Sequence, residues 1–387
     1  MTKAIQLSLF TLYLFFLFPV HFIYAAMPAD PNANETTRKV LNYINGIGQG
    51  TVNRVITGQQ LDQFCNVYKE YGDADSCDPS NYKTGDFRNI EAIYQKTGER
   101  PGLVSTDYYT LSDPDHAKYL YRNPYLIQHW NHGGLVSLCL HMINPITGNN
   151  SKDRTQLASL ASLYTPGNSA YENFRTELRL VAEGLQELED KGVTVLFRPF
   201  HEMNGGWFWW GDRNADEFKA LWWYTFDYVT NTKGLHNILW VYSPSENSLT
   251  RSFTKYYPGD NYADLVSLDW YADKYDLTID GYSEMVELDK PLILGEFGFS
   301  GHDPAADASG LITAIKNKYP QIRGFIWWGQ AHNLAQFKNV KKLMNDPWSL
   351  NLGEIDFGKL LEEDSTISSL AAPTNLRVVG CPSSKPE

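Results

Sequence analysis

Short apolar runs recur along the chain, and stretches with helical spacing of apolar positions lie between them. Such runs, rich in β-branched residues, are typical of strands buried on both faces. Strands are predicted at residues 54–57, 102–106, 135–141, 193–200, 237–242, 265–270, 291–296 and 322–327. Strand alternating with helix predicts parallel strands joined by right-handed crossovers. Eight such units are the number that closes a (β/α)₈ TIM barrel, here forming a single domain.

The helical stretches support this interpretation. Helices are predicted at residues 35–48, 87–98, 172–192, 215–234 and 309–320. An open, doubly wound sheet would show the same alternation of strands and helices. Its first strand should be followed by a glycine-rich dinucleotide fingerprint, and that fingerprint is missing. The closed barrel is therefore the predicted fold.

The predicted strands end in polar or aromatic residues of functional type. These are Asp107, His141, His201 with Glu202, Asp269 to Tyr271, Glu296, and Trp327 with Trp328. The carboxyl ends of all strands in a closed barrel meet at one face, where the active sites of this fold lie. The sequence therefore predicts one site assembled from many strands.

The most informative stretch runs from residue 193 to 211, with the sequence VTVLFRPFHEMNGGWFWWG. An apolar strand turns abruptly into charged, imidazole and amide side chains, followed by two glycines and three tryptophans. A second such transition, LILGEFGFSG, occupies residues 292–301. Both are expected where a strand leaves the core and enters a site.

Glu202 and Glu296 are the candidate catalytic pair. Cleavage of a glycosidic bond needs one carboxyl that protonates the leaving oxygen and a second that supports the oxocarbenium-like transition state. Either glutamate alone would be an ordinary loop residue, as most glutamates are. Two in matching positions after buried strands, with His201 and Tyr271 nearby, favour the catalytic interpretation.

Other chemistries fit less well. His201-Glu202 lacks the second histidine of a zinc-protease helix, because Gly205 and Gly206 stand where it would be needed. The glycines around Glu296 are not spaced as a dinucleotide fingerprint, and no serine has a nucleophile-elbow context. No metal and no cofactor are expected.

The net charge and the aromatic content limit the classes of molecule that the protein is expected to bind. The formal net charge of −12 argues against nucleic acid or an anionic membrane as a partner. Aromatic residues make up 14% of the chain, and Trp and Tyr stack on the apolar faces of sugars as readily as they fill a core.

The two ends of the chain differ from its centre. Residues 1–26 combine Lys3, a long apolar run and Ala25-Ala26, which predicts a secretory signal peptide and an extracellular protein. The catalytic domain is placed at residues 27–362, and the Ser/Pro-rich residues 363–387 are expected to be a flexible tail or linker. A monomer is the default expectation.

The chain has four cysteines. Cys65 and Cys77 could close one disulfide, Cys139 should be a buried free thiol, and Cys381 has no evident partner. Spacing alone does not fix the connectivity.

FRPFHEMNGGWFWWG and LILGEFGFSG, together with HMINP after the third strand, resemble glycoside hydrolase family 26. That family consists of retaining (β/α)₈-barrel hydrolases, dominated by endo-β-1,4-mannanases. The resemblance extends from about residue 30 to 362, and its first motif is long and specific. It implies β-mannan and manno-oligosaccharides as substrates.

The resemblance implies roles for individual residues. Glu202 matches the general acid/base and Glu296 the nucleophile, to which Tyr271 should donate a hydrogen bond. Substrate-binding roles are implied for His141, His201, Trp207 and one of Trp327 and Trp328, and supporting roles for Arg198 and Asn204. His201 could equally serve only to orient Glu202. Asp107, Asp269 and Glu246 are expected to bond loop backbone rather than substrate.

Several functions stay open. The leading hypothesis is an endo-β-1,4-mannanase acting on mannan, glucomannan or galactomannan. A mannobiose-releasing exo-enzyme, a mixed-linkage β-glucanase and a β-1,3-xylanase are alternatives within the family. A carbohydrate-binding barrel without catalysis is the alternative from another class, against which the presence of both carboxylates counts.

Overall fold

The computed structural model describes residues 26–47, 54–61, 87–109, 119–248, 250–329 and 333–356. Residues 1–25 of the predicted signal peptide and the whole predicted tail, 363–387, lie outside these ranges. Cys65, Cys77 and Cys381 lie outside them as well. Cys139 is a buried free thiol, as the sequence predicts.

The described strands form one parallel sheet that closes on itself. They are β1 (Val55–Ile56), β2 (Gly58–Gln60), β3 (Leu103–Tyr109), β4 (Leu135–His141), β5 (Val195–Arg198), β6 (Ile238–Tyr242), β7 (Leu265–Ala272), β8 (Leu292–Phe299), β9 (Ile322–Trp327) and β10 (Ser349–Leu350). Each strand from β2 to β9 pairs with the next, and β9 pairs back with both β1 and β2. The predicted eight-stranded (β/α)₈ barrel is confirmed, with β1 and β2 together forming its first strand.

The helices lie between the strands. They are α1 (Glu35–Gly46), α2 (Arg88–Thr97), α3 (Tyr119–Asn131), α4 (Ser169–Asp190), α5 (Ala215–Phe226), α6 (Tyr282–Val286), α7 (Ser309–Lys318) and α8 (Val340–Met344). Short 3₁₀ or π turns occupy Leu160–Leu163, Asp227–Thr232, Asp260–Tyr262, Ser300–His302 and Leu334–Gln336. None of the helices in the described ranges combines the length and apolar character that crossing a membrane requires.

The first barrel strand is split, which the sequence did not predict. Thr57 interrupts it by bonding β10 and the residue after it: its N–H donates to the Leu350 carbonyl and its hydroxyl to Asn351 Oδ1. At Gly58 the neighbouring strand passes so close that a Cβ would lie 2.2 Å from the Phe325 carbonyl oxygen. Only glycine allows this approach.

Three helices carry no strong sequence signal. α3 contains Pro124 at an interior position, and α6 and α8 are only five residues long. The helix predicted at 215–234 is regular only to Phe226 and continues as a π turn over Asp227–Thr232.

α1 lies at the amino-terminal end of the barrel. Its Val40, Leu41 and Ile44 join one apolar cluster with residues that begin strands, among them Leu103 and Leu135. This cluster fills the lower end of the barrel, so the carboxyl ends of the strands form the open mouth.

β8 carries an irregularity that matters for the site. Leu268 pairs with Leu294, yet the next residue of β7, Asp269, pairs with Glu296. Gly295 is thus the extra residue of a β-bulge. Bulges of this kind re-aim side chains next to active sites, and this one sets Glu296 beside Asp269.

Candidate active site

Glu202 lies in the turn that follows β5, with its backbone in the left-handed region at φ +56°. Non-glycine residues rarely adopt this conformation, and where they do the surrounding structure must hold them. Here the Glu202 N–H donates to the Ser243 carbonyl at 2.6 Å, and the Glu202 carbonyl accepts from Gly205 N–H at 2.9 Å. The end of β6 therefore fixes the position of Glu202.

The tryptophans after the turn divide into two kinds. Trp209 and Trp210 are fully buried, and their indole N–H groups donate to the carbonyls of Met142 and His201. Trp207 is half-buried and donates instead to Glu202 Oε2 at 2.6 Å. Two of the three rings thus anchor the turn, and the third contacts the candidate acid.

Glu296 is held by groups from two other strands. Its Oε1 accepts from Arg198 Nη2 at 3.1 Å, and its Oε2 accepts from the Tyr271 hydroxyl at 2.7 Å. Burial raises the pKa of Tyr271 well above its usual range, and the nearby Glu296 charge adds to the rise. Tyr271 therefore stays a proton donor to this carboxylate.

The two glutamates lie close together in contrasting surroundings. One carboxylate oxygen from each of Glu202, Asp269 and Glu296 lies within 4.8 Å of the others. Burial and, next, the charge of Glu296 raise the pKa of Glu202, and the Trp207 hydrogen bond opposes the rise, so that the net pKa is about 7. Glu202 can thus hold a proton near neutral pH, while Glu296 accepts a guanidinium and a phenol hydroxyl.

A buried ion pair supports Glu296 from below. Arg198 and Asp269 have no exposed surface, and Arg198 Nη1 donates to Asp269 Oδ1 at 2.8 Å. The Ser243 hydroxyl donates to the same oxygen. Burial opposes the charge on Arg198, but Asp269 and Glu296 outweigh it and raise the pKa of the guanidinium.

This pairing differs from what was expected of Asp269 and adds to the supporting role predicted for Arg198. The sequence analysis placed Asp269 among the functional-type residues at strand ends but expected it to bond loop backbone; its carboxylate instead accepts from Arg198 and Ser243 beside Glu296. Its position two residues before Tyr271 in a strand was the available signal, since side chains two apart share a face. Arg198 holds Glu296 directly.

Two histidines stand edge to face beside the glutamates. The His141 and His201 ring centroids are 4.7 Å apart, and Phe208 packs against both rings. Burial lowers the pKa of His201 well below its usual range, with His141 and Arg198 adding to the effect. His201 is therefore neutral.

His201 faces Glu296 rather than Glu202 in the contacts that the structure gives. Its Nε2 lies 3.8 Å from Glu296 Oε1. Within the described part of the chain, its Nδ1 is buried without a hydrogen-bond partner.

Asp107 orients His141. Its carboxylate accepts from the His141 backbone N–H at 3.0 Å and pairs with Nδ1 of the ring. Burial lowers the pKa of His141, but the Asp107 carboxylate outweighs burial, so the net shift is upward. Asp107 thus bonds backbone, as expected, but also a predicted site residue. Glu246 accepts from the Asp280 N–H, a backbone bond as expected.

The remaining predicted residues separate into core and mouth. Trp327 is fully buried among Phe297, Phe299 and Phe337, so it has no surface on which a sugar could stack. Trp328 is half-buried, and alternation along the strand turns it to the opposite side. Trp327 is therefore excluded as a sugar platform, and of these two tryptophans only Trp328 has exposed surface for stacking.

Asn204 supports the turn from behind. Its side-chain amide donates to the Ser245 carbonyl at 2.8 Å, and its side-chain carbonyl accepts from the Ser245 N–H at 2.8 Å. This reciprocal pair ties the segment carrying Glu202 to the segment after β6.

The arrangement has the parts that glycosidic bond cleavage requires. A carboxyl with a pKa of about 7 and an anchored carboxylate share the barrel mouth, and a half-buried tryptophan, Trp328, flanks the end of β9. Fold and site together define a glycoside hydrolase. Comparison with known proteins identifies the family: residues 29–354 match the model of glycosyl hydrolase family 26, and the chain belongs to it. The resemblance predicted from the motifs is confirmed.

Individual relatives are similar over nearly their whole length. A mannan endo-1,4-beta-mannosidase of Bacillus subtilis is 34% identical over 370 residues, covering 91% of this chain and 96% of the relative. Another, from Bacillus subtilis strain 168, is 33% identical, covering 85% and 89%. The solved structure of Bacillus subtilis mannanase man26 superposes with a TM-score of 0.74 at 32% identity, covering 87% and 98%.

Proposed function

We propose that the protein is a retaining endo-β-1,4-mannanase that makes internal cuts in mannan, glucomannan or galactomannan. The observation that carries this proposal is the separation of at most 4.8 Å between oxygens of Glu202 and Glu296. Retaining enzymes keep their carboxyl groups about 5–5.5 Å apart, whereas inverting enzymes need about 6.5–9.5 Å to admit a water. The mannan endo-1,4-beta-mannosidases among the relatives support the choice of substrate.

In the first step, Glu202 gives its proton to the glycosidic oxygen as an oxygen of Glu296 attacks the anomeric carbon. The glycosidic bond breaks, the shortened chain leaves as an alcohol, and a glycosyl ester forms on Glu296. In the second step, the Glu202 carboxylate takes a proton from water, the water oxygen attacks the same carbon, and Glu296 is released. Two inversions leave the configuration unchanged.

Each neighbouring side chain has a part in this cycle. Arg198 and Tyr271 hold the two oxygens of Glu296 and thereby orient its attack. Neutral His201 offers a nitrogen to a sugar hydroxyl, and Trp328 supports a sugar ring at the end of β9. Charged and hydrogen-bonding groups stabilise a transition state most when they are already in position before the reaction. The contacts of Arg198 and Tyr271 with Glu296 meet this condition.

The first experiment measures reducing ends released from linear β-1,4-mannan by the native protein, Glu202→Ala and Glu296→Ala. We expect release by the native protein, products of mixed length, and loss in both variants. Proton NMR of the early products should show the β-anomer first. Release of mannobiose alone would contradict the internal cut, and the α-anomer first would contradict retention.

An aryl mannoside with a highly acidic phenol as leaving group separates the two roles. Such a leaving group needs no proton, so Glu202→Ala should still form the glycosyl ester and release a burst of phenol. Glu296→Ala should release none. If mannan is not cut, β-1,3-xylan and mixed-linkage glucan are the next substrates, and the mannan assignment falls.

We also propose that the enzyme acts outside the cell, because residues 1–26 have the charge, apolar run and small residues of a signal peptide. Amino-terminal sequencing of protein from the culture medium of an expressing host should begin near residue 27. Retention of the full leader in a cell-bound protein would contradict this.

A further inference from the structure

The loop after β7 carries an exposed aromatic side chain at the rim of the barrel mouth. Tyr275 is 87% exposed, more than any other aromatic side chain in the described part of the chain. It follows Tyr271, which bonds Glu296, by four residues, and four residues span at most roughly 14 Å. A polysaccharide chain of a few sugar units could therefore reach from Glu202 and Glu296 to Tyr275.

One charged side chain, Lys274, contacts the Tyr275 ring. The Lys274 ammonium lies 4.9 Å from the ring centroid, a cation–π geometry. Lys274 also forms an ion pair with Asp303, on the segment that follows β8. Lys274 thus links Tyr275 to the adjacent mouth segment.

The backbone on both sides of Tyr275 is tied as well. The Tyr275 N–H donates to Asp273 Oδ1 at 2.8 Å. Asp273 and Asp276 form a backbone bridge across it, and Asp276 accepts from the Thr278 hydroxyl at 2.6 Å. A side chain presented on such a closed turn loses less conformational freedom on binding than one on an open loop.

A single exposed aromatic residue is common on protein surfaces. Tyr275 differs in combining exposure, a tied backbone turn and a place at the mouth of a polysaccharide-cleaving site. Lys274 lies over one ring face, which leaves the other for the apolar C–H face of a sugar. Asp273 and Asp276 lie on either side of Tyr275 in the chain and are exposed, and sugar hydroxyls are good donors to carboxylates.

We propose that Tyr275 is the platform of an outlying sugar-binding subsite, which engages a β-mannan chain beyond the residues at the cleavage point. This subsite rests on the proposed mannanase function. It favours long chains over short ones, because a short oligosaccharide bound across Glu202 and Glu296 ends before it reaches the rim.

The test is a series of manno-oligosaccharides of increasing length, with kcat/KM measured for the native protein, Tyr275→Ala and Tyr275→Phe. The shortest substrate that is cut should give equal values for all three. At the length that first reaches the rim, the native value should rise, and Tyr275→Ala should lose that rise by roughly 3- to 10-fold, the size of one aromatic contact. Tyr275→Phe should keep it, since the ring face makes the contact.

A matched control is Tyr94→Ala. Tyr94 is also exposed and also carries a cation, the Arg100 guanidinium at 3.7 Å from its centroid. It lies near the end of α2, just before β3 begins, and thus on the face opposite the mouth. Its removal should leave the whole length series unchanged.

The outcomes are distinct. If the native protein cuts mannan and Tyr275→Ala follows the native curve at every length, the subsite is refuted while the proposed function stands. A uniform loss at all lengths would also refute it, because it would place Tyr275 at the cleavage point. If the native protein cuts no manno-oligosaccharide, the proposed function fails and the mannan subsite fails with it.

Discussion

The indole N–H of Trp207 donates to Oε2 of Glu202 across 2.6 Å. This hydrogen bond lowers the pKa of Glu202, whereas burial and the charge of Glu296 raise it to a net value of about 7. Trp207 therefore has an electrostatic role on the candidate acid in addition to its predicted contact with substrate.

Trp207→Phe should move the pH profile toward higher pH. Glu202 must be protonated to act as an acid, so kcat/KM falls as pH rises through its pKa. Removing a donor that stabilises the carboxylate raises that pKa, and the basic limb should shift upward with it. The measurement is kcat/KM against pH on a soluble manno-oligosaccharide.

Trp223→Phe is the control for this shift. Trp223 donates to the Pro258 carbonyl, away from the carboxylates, so its loss should leave the basic limb where it was. A basic limb that stays or moves down in Trp207→Phe would contradict the assignment of Glu202 as the acid.

Gly295→Ala should damage the site through crowding. A Cβ at this bulge would lie 2.5 Å from Arg198 Nη1, 2.6 Å from Asp269 Oδ1 and 2.8 Å from Ser243 Oγ. We expect a loss of about 1–3 kcal/mol in the free energy of unfolding, as in other overpacked interiors. Because Glu296 is the next residue, kcat should fall by more than KM rises.

Gly206→Ala is the matched substitution. There the new Cβ would meet only Arg154 Nη1 at 3.4 Å, an ordinary contact. Urea unfolding midpoints should separate the two variants. If Gly295→Ala were as stable as the native protein, the predicted clash of the new Cβ with Arg198, Asp269 and Ser243 would be refuted.

Asp269→Ala should destabilise the protein by about 3 kcal/mol or more, because it leaves the buried Arg198 with Glu296 as its remaining carboxylate partner. Glu183→Gln breaks the exposed Arg179–Glu183 pair of α4 and should cost less than about 0.5 kcal/mol. Urea unfolding of both variants measures the difference. Similar midpoints would show that Arg198 does not depend on Asp269.

The two tryptophans at the end of β9 should respond in opposite ways. Trp328→Ala should lower kcat/KM on manno-oligosaccharides with little change in stability, because the side chain is partly exposed. Trp327→Ala should cost about 3–5 kcal/mol of stability, as expected for a large core side chain. A Trp328→Ala variant with native kcat/KM would remove it as a sugar platform.

The sequence predicted the features that depend only on the number and order of the strands. Eight apolar runs alternating with helices gave the barrel, and the barrel geometry brought Glu202 and Glu296 together, although they are far apart in sequence. This convergence follows from topology alone. It requires no knowledge of which side chains touch.

What the sequence did not predict depends on register. The Arg198–Asp269 pair joins β5 to β7, strands that are not neighbours, and nothing local to either residue marks it. The bulge at Gly295 shifts the pairing of β7 with β8 by one residue, and a further irregularity between β8 and β9 affects the strand that ends at Trp327. The choice between Trp327 and Trp328 was open for that reason. α3 was missed because Pro124 interrupts its helical signal.

The groups that hold Glu296 both belong to strands: Arg198 ends β5, and Tyr271 lies in β7. Glu202 is likewise fixed by the carbonyl of Ser243, directly after β6. The barrel strands therefore position the groups that cleave the bond, and the segments that connect the strands at the mouth determine which polysaccharide binds. Transplanting mouth segments from other barrels onto this frame should change which glycan is cut and preserve the ability to cut.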